Sequence, residues 1–488
     1  MITHMLKSMN IKSLSIVSAA MAVMMAMPAE AQSQKGPRMI ESRNNANATT
    51  WTTRETMTLD RLPGFKLRKL DPAADEYGGW TNISWEATGF FRTQKEGDRW
   101  WLVDPAGHPY IFKGLACFTT GGSDRQKQAL KDKFGSKENW AAKDMDMLRS
   151  QGFNGLGAWS DTETVRNSDR PMPYTVIVSP MSKYRSVHIA RYGGKYLQHG
   201  WQNYRFDLAM VFDPEFDEFV EKEVSKIAAY KDDPWLVGYF TDNEIPWVND
   251  ALDRHLTLLA HDEPAYLAVR KWFDERKGKD ARVEDITPED RLAFTAFYLE
   301  TYLSKVTSVL RKYDPNHLYL GCRFNQWREE LRNPAMFEVA GKYMDVISVN
   351  LYQRWTPVQE EITNFGKWSG KPFMVTEFYT KGEDSGLPNK TGAGWNVHTQ
   401  EDRGWFYQNY VLALLESKCC VGWHWFRYMD NDPEDLNTDP SNRDSNKGIV
   451  RWNFEPYEVP LVQMKQLNDR TFRIIEYLDS AQNQYRRL

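Results

Sequence analysis

Glu244 and Glu377 are the residues of this sequence whose setting calls for a chemical explanation. Each ends a short apolar run, Trp235-Leu236-Val237-Gly238-Tyr239-Phe240-Thr241-Asp242-Asn243-Glu244 and Lys371-Pro372-Phe373-Met374-Val375-Thr376-Glu377-Phe378. Short runs rich in Val, aromatics and Thr, each opening after a proline, read as buried parallel strands. A carboxylate at the end of such a strand is costly unless that end opens onto a site. In a (β/α)8 barrel it does, because the active site sits at the strands' C-terminal face. Two carboxylates so placed suit glycoside hydrolysis, which takes one acid and one base or nucleophile flanking a sugar bond.

The neighbours refine those roles. Asn243 can hydrogen-bond a sugar hydroxyl beside the reacting carbon, a bond that strengthens in the transition state. Glu244 can protonate the leaving oxygen where burial raises its pKa. The plainer reading of Asn243-Glu244 is a helix N-cap pair. Glu377 stays ionised where donors and a cation hold it, and can then attack the anomeric carbon. Its plainer reading is a structural carboxylate paired with an arginine across the barrel, Arg323 or Arg427.

The elements that would position these residues follow a strand–helix rhythm from residue 110 on, which argues for an α/β chain with a parallel sheet. Eight strands are expected: Tyr110–Cys117, Asn154–Trp159, Thr175–Ser179, Leu236–Thr241, Leu318–Phe324, Val346–Leu351, Phe373–Thr376 and Cys420–Phe426. Helices are expected over 136–150, from Asp213-Pro214 to about Tyr230, over 288–312 and over 401–416. The fold class is therefore a (β/α)8 TIM barrel with a small N-terminal β element packed against it. The glutamates are 133 residues apart, where three βα units take roughly 90–100. The charged segment 250–290 accounts for the surplus and is expected to wall one side of the cleft.

The expected organisation is a signal peptide over 1–31, a disordered lead-in over 32–50, the small β element over 51–109, and the catalytic barrel over 110–488. Lys7 and Lys12 precede an apolar stretch from Leu14 to Met27, and Ala29-Glu30-Ala31 reads as the cleavage site. The stretch is too short to span a bilayer, so the protein is expected to be exported, periplasmic or extracellular, with no membrane partner. A net charge of −4 and the lack of a basic run argue against nucleic acid. Aromatics make up 14% of the chain with 19 Trp, which suits stacking against a carbohydrate substrate. No pattern specifies an oligomeric state.

Cys117, Cys322, Cys419 and Cys420 form no disulfide framework. They read as buried small residues, with one bridge from Cys117 to Cys419 or Cys420 left open. No metal site or cofactor is expected. The acidic run 430–446 lacks the Gly and final Glu of a calcium loop, and no nucleotide loop or serine elbow is present.

The chain also resembles a known group. Asn-Glu at the end of a fourth strand and Glu at the end of a seventh is the pattern of clan A retaining glycoside hydrolases. Trp100-Trp101-Leu102-Val103-Asp104-Pro105-Ala106-Gly107-His108-Pro109, Phe112-Lys113-Gly114, Gly152-Phe153-Asn154, Gly238-Tyr239-Phe240-Thr241-Asp242-Asn243-Glu244 and Thr376-Glu377-Phe378 are similar to the β-agarases of glycoside hydrolase family 50. The resemblance covers roughly residues 85–455. It implies Glu244 as acid/base, Glu377 as nucleophile, and retention of configuration on a β-linked, galactose-based glycan. It further implies Tyr352 as hydrogen-bond partner of the nucleophile and Trp425 as floor of the sugar site, with Trp423 also facing inward and His424 outward. Trp159 and Trp395 are additional stacking candidates, and His398 a candidate for sugar hydroxyls. The rivals are a clan A β-galactosidase or β-glucanase on another glycan, and a carbohydrate-binding barrel without catalysis.

Overall fold

The computed structural model describes residues 36–44, 46–192, 210–325 and 329–480. The expected signal peptide lies outside the described residues. At the centre is a nine-stranded sheet in which every neighbouring pair runs parallel. Its strands are β1 (Phe112–Leu115), β2 (Gly155–Leu156), β3 (Tyr174–Val178), β4 (Leu236–Thr241), β5 (Leu318–Tyr319), β6 (Phe324–Asn325), β7 (Ile347–Asn350), β8 (Phe373–Phe378) and β9 (Cys420–Trp425). Their order is β5-β4-β3-β2-β1-β9-β8-β7-β6.

The two edges of this curled sheet, β5 and β6, are separated in the chain only by residues 320–323. That joint stays bonded on both sides. Leu320 N–H donates to the Tyr239 carbonyl (2.8 Å) and Thr241 N–H to the Gly321 carbonyl (3.0 Å). On the other side, Asp345 N–H donates to the Tyr319 carbonyl (2.9 Å) and Arg323 N–H to Ser348 Oγ (3.0 Å). The expected fifth strand is thus broken in two. The cause is local: Gly321 and Arg323 take φ of +82° and +54°, outside extended geometry.

Two cores flank the sheet. Inside the curl lie Phe112, Val237, Phe240, Leu318, Leu320, Val346, Met374 and Val421. A three-stranded antiparallel sheet (Arg92–Glu96, Arg99–Val103, Pro109–Tyr110) adds Leu102 and Tyr110 to the same cluster. The Asp104–Gly107 turn read from the sequence links its last two strands, with Gly107 N–H on the Asp104 carbonyl (3.0 Å). Outside, the helices bury a second and larger core. Lys137–Ser150 buries Trp140, Met145 and Leu148, and Pro288–Tyr313 starts on a Thr287 capping box. Gln400–Glu416 carries Phe406, Tyr407 and Tyr410 against the β8–β9 edge. None of the helices among the described residues is long and apolar enough to cross a membrane.

Two expectations are corrected here. Residues 38–43 of the supposed disordered lead-in form a strand, Arg38–Arg43, paired with Thr52–Thr56 on one side and Trp395–Val397 on the other. The polar composition misled because this strand sits at the protein's rim, with only Ile40 and Ser42 buried. The four cysteines are buried and free, as read from the sequence, and the bridge left open there is not formed. Parallel pairing of β1 with β9 sets Gly422 opposite Phe112, which leaves Cys420 and Cys117 at opposite ends of the strand pair.

The second correction is parity in β9. Between Phe373 and Met374 the partner strand advances from Cys420 to Gly422, so Val421 is an extra residue. Such a bulge moves every later side chain to the other face. Trp423 and Trp425 therefore point outward, and His424 points inward against the rings of Phe112 and Phe240. The glycines at 114 and 157 make room for it, since a Cβ there would lie 2.6 and 2.5 Å from the imidazole.

Neither ring nitrogen of His424 has a hydrogen-bond partner. Burial, aided by the Arg323 charge, pushes its pKa down to about 3. The unfolded chain takes up this proton below about 6.5, while the folded chain refuses it until about 3. Stability is therefore complete above 6.5 and is lost as pH falls through that window. Urea unfolding of H424Q between pH 6.5 and 4 should show a shallower loss than the native chain, by up to about 1.4 kcal/mol per pH unit.

Candidate active site

Glu377 reaches the site through a local irregularity. The ladder slips between Val349 and Asn350 on one side of β8, and between Val375 and Phe378 on the other. Phe378 then stacks outward on Tyr410 (4.3 Å between centroids), and Glu377 turns to the cleft. Glu244 follows β4 by a different device. Asp242 and Glu244 both adopt left-handed backbone, φ +57° and +52°. The Asp242 carboxylate holds that turn, accepting from Met181 N–H (2.9 Å), Ser182 N–H (2.9 Å) and Tyr302 Oη–H (2.7 Å).

The two glutamates are linked by a continuous hydrogen-bond chain. Arg323 Nη2 donates to Glu377 Oε1, and Tyr352 Oη–H donates to Glu377 Oε2 (2.5 Å). Arg323 Nε donates to Asn243 Oδ1 (2.6 Å). Asn350 Nδ2 donates to Asn243 Oδ1 (3.2 Å) and to Glu244 Oε1 (2.8 Å). Thr376 Oγ1–H donates to Asn350 Oδ1 (2.8 Å), which fixes the orientation of that amide. The Arg323 side chain is fully buried, between the rings of Trp159 (4.5 Å) and Phe240 (5.2 Å). Burial, followed by the Glu377 charge, pushes the Tyr352 phenol well above its ordinary pKa, so it acts as a donor.

Both carboxylates line one cleft of about 560 Å³, together with Tyr352, Trp159, Tyr379 and Phe426. This size is that of a small-molecule site. Its polar wall comes from segments after the strands, notably Gln126, Arg427, Asn431 and Asn442. Cys117 also lines it, and burial raises its thiol pKa. Lys447 supports the outer wall from behind, donating to the Asn442 carbonyl (3.1 Å). Burial, with Arg427 adjacent, lowers its pKa to about 7.

The structure brings together Glu244, Glu377, Tyr352 and Trp159 from the residues singled out in the sequence. Asn243 sits behind them with its carbonyl oxygen on Arg323 and Asn350. The other expectations are corrected. Trp425 is wholly buried outside the sheet, with its indole N–H on the Lys447 carbonyl (2.7 Å). The β9 bulge put it there, and Phe426 faces the cleft instead. Trp395 is buried in the rim sheet under Arg54 (4.7 Å). His398 stacks on Trp51 (3.7 Å) and faces Glu41 (3.1 Å) at the surface. No residue of the helical segment 250–290 is among those lining the cleft; the 431–442 segment stands there instead. Sequence reading missed Asn350, although a buried amide ending the run Ile347-Ser348-Val349-Asn350 is the same signal that marked the glutamates.

A curled parallel sheet with two hydrogen-bonded carboxylates at its C-terminal end is an arrangement that glycosidases use. No family model matches the chain. It is similar to the crystal structure of BpGH50, with a TM-score of 0.80 and 30% identity, over 91% of this chain and 96% of that one. It thereby belongs to glycoside hydrolase family 50. An agarase structure, AgWH50C, shares the fold at TM-score 0.68 and 24% identity, over 84% of this chain and 68% of that one. Beta-agarase B of Vibrio sp. (strain JT0107) is 27% identical over 527 aligned residues, 87% of this chain and 53% of that protein. Beta-agarase A of the same strain is 24% identical over 374 residues, 68% and 36% of the two chains. The chain thus spans about half or less of the length of these curated relatives.

Removing Arg323 leaves a buried carboxylate without its cation, which costs about 3–5 kcal/mol. R323M should lose stability of that order in chemical denaturation. In the same experiment the double variant R323M/E377Q should recover much of the loss, because the neutral amide needs no counter-charge.

Proposed function

We propose that this chain is a retaining glycoside hydrolase that cleaves β-linkages in a galactose-based polysaccharide or oligosaccharide of the agarose type. The observation that carries this reading is the pair of carboxylates that line one cleft and are joined by a continuous hydrogen-bond chain. Glu377 is held in place by a guanidinium and a phenol and faces the cleft, as suits a nucleophile. Glu244 receives the amide of Asn350 and lies across the same cleft, as suits a group that exchanges a proton. The names of the Vibrio relatives support the substrate class. The short joint between β5 and β6 supports a closed (β/α)8 barrel, in which the strands' C-terminal ends carry catalysis. The leader-like residues 1–31 support export.

In the first step a Glu377 oxygen bonds to the anomeric carbon as the glycosidic C–O bond breaks, and the leaving oxygen takes the Glu244 proton. In the second, Glu244 takes a proton from water, the water oxygen bonds to the anomeric carbon, and Glu377 leaves as a carboxylate returned to Arg323 and Tyr352. Trp159, Tyr379 and Phe426 give ring faces for the sugars. Tyr379 and Tyr352 meet edge to face (5.5 Å), which steadies that wall.

Proton NMR of neutral agaro-oligosaccharides during cleavage should show the β-anomer of the product first. E244Q should lower turnover about 10²–10⁴-fold, and E377A should abolish it while the folded protein still binds the oligosaccharide. An α-anomer formed first would replace retention with inversion. Turnover untouched in E377A would remove Glu377 from the chemistry, and absence of cleavage with binding intact would make the chain a carbohydrate-binding barrel.

A further inference from the structure

We propose that Arg427 gives the cleft a seat for an anionic substituent of its glycan, a sulfate ester or a carboxylate, an inference that rests on the galactan-hydrolase reading above. Arg323 and Arg427 were the two partners the sequence offered for Glu377, and the structure gives that pair to Arg323. Arg427 is left two residues past the end of β9, partly buried in the cleft wall beside Phe426. Its side chain makes one hydrogen bond, from Nη1 to Asn431 Oδ1 (3.2 Å), and that partner is neutral. Its Nε–H is buried without a partner. Among the described residues no carboxylate pairs with this guanidinium.

The carboxylates nearest in the chain are turned to other groups. Asp430 accepts from Lys447 N–H (2.8 Å), Gly448 N–H (2.6 Å), Asn446 Nδ2 (3.1 Å) and Tyr457 Oη–H (2.8 Å). Asp432 accepts from Ser123 Oγ–H (2.7 Å) and pairs with Arg125 (3.1 Å). Asp439, exposed at the edge of the cleft, accepts from Ser441 N–H, Ser441 Oγ–H and Asn442 Nδ2 (2.9 Å each). A second cation stands behind the first. Lys447 is wholly buried, with Nζ 5.6 Å from the centre of the Phe426 ring, and it donates to Asn442 rather than to a carboxylate. The lowered pKa of this lysine is the response of one cation held beside another without a paired anion.

A charge so placed is costly in a cleft that takes only neutral sugar. Hydroxyls are met as well by amides, which the same wall supplies in Gln126, Asn431 and Asn442. An oxyanion uses what Arg427 adds: a fixed positive charge and a planar fork of donors matched to sulfate or carboxylate oxygens. Phe426, the preceding residue, offers a ring face to the sugar, so an anion carried by that sugar would meet the guanidinium next to it. The Cys117 thiol, also in the cleft, has Arg427 and Glu377 as its foremost charged neighbours, which sets the seat and the nucleophile around one patch of the wall.

The test compares oligosaccharides of one galactan backbone in unsubstituted, sulfate-esterified and carboxylate-bearing forms. The native chain should cleave a charged form with kcat/KM about 10–100-fold above the neutral one, the worth of a charge-assisted hydrogen bond, and the form that responds tells sulfate from carboxylate. That ratio should fall to about one in R427M. R427K, which keeps the charge without the fork, should fall between. Calorimetric binding to E377A and to E377A/R427M should follow the same order. A native ratio of about one or below for both charged forms, with the neutral form cleaved, would overturn the anion seat and leave the hydrolase reading standing. A high ratio that persists in R427M would overturn the role of Arg427. Neither cleavage nor binding of any form would overturn both readings. Should R427M fail to fold, the native ratio and R427K still decide.

Discussion

The site rests on one requirement, that a carboxylate stay charged beneath the protein surface. Arg323 meets it, and meets it from an unusual place. Its guanidinium bonds Glu377 and Asn243 at once, and its plane lies between two aromatic rings. A lysine would offer a point charge without the fork geometry that spans both partners. The residue can take this position because the fifth strand fails there. A regular strand at 320–323 would alternate its side chains between core and helices, whereas the break turns Arg323 along the top of the interior. The same four residues lie between the sheet's two edges, so the joint between those edges and the Glu377 ion pair share one piece of chain.

Strain marks this upper rim. Cys117, Trp159, Asp242, Glu244, Arg323 and Gln353 all have left-handed backbone although none is glycine. Each follows or interrupts a strand of the sheet, and each lies in or beside the cleft. Such residues cost of order 1–3 kcal/mol and persist where their surroundings over-determine them. Here the determinants are visible: the Asp242 carboxylate bound by two amides and a phenol, and the Glu244 N–H bonded to the Arg323 carbonyl (3.1 Å).

The sequence spoke clearly where a residue's burial contradicted its polarity. Glu244 and Glu377 stood out because charges end apolar runs, and β4 matches its expected range residue for residue, whereas the register slips and left-handed turn that aim the two carboxylates have no mark in the sequence. It spoke poorly where one extra residue decides a face. The Val421 bulge has no compositional mark, yet it exchanged the places of His424 and Trp425. It also failed for contacts made across long separations. Trp395 and His398 looked like members of a binding loop, but their neighbours are Arg54 and Trp51, more than three hundred positions earlier. The strand Arg38–Arg43 was hidden for a related reason: a strand at the rim buries little, so its composition stays polar.

That rim strand ties distant parts of the molecule together. Arg38–Arg43 and Thr52–Thr56 extend a sheet whose other members, Trp395–Val397 and Thr380–Gly382, belong to the connection after β8. Ala393, just before Trp395, lines the cleft and is held by the Gln353 amide (2.6 Å). Proteolytic trimming past Arg43 would bare the backbone of Trp395–Val397 as an open edge, free to recruit the same edge of another molecule. Damage to that strand would then reach the wall of the cleft without altering one residue in it.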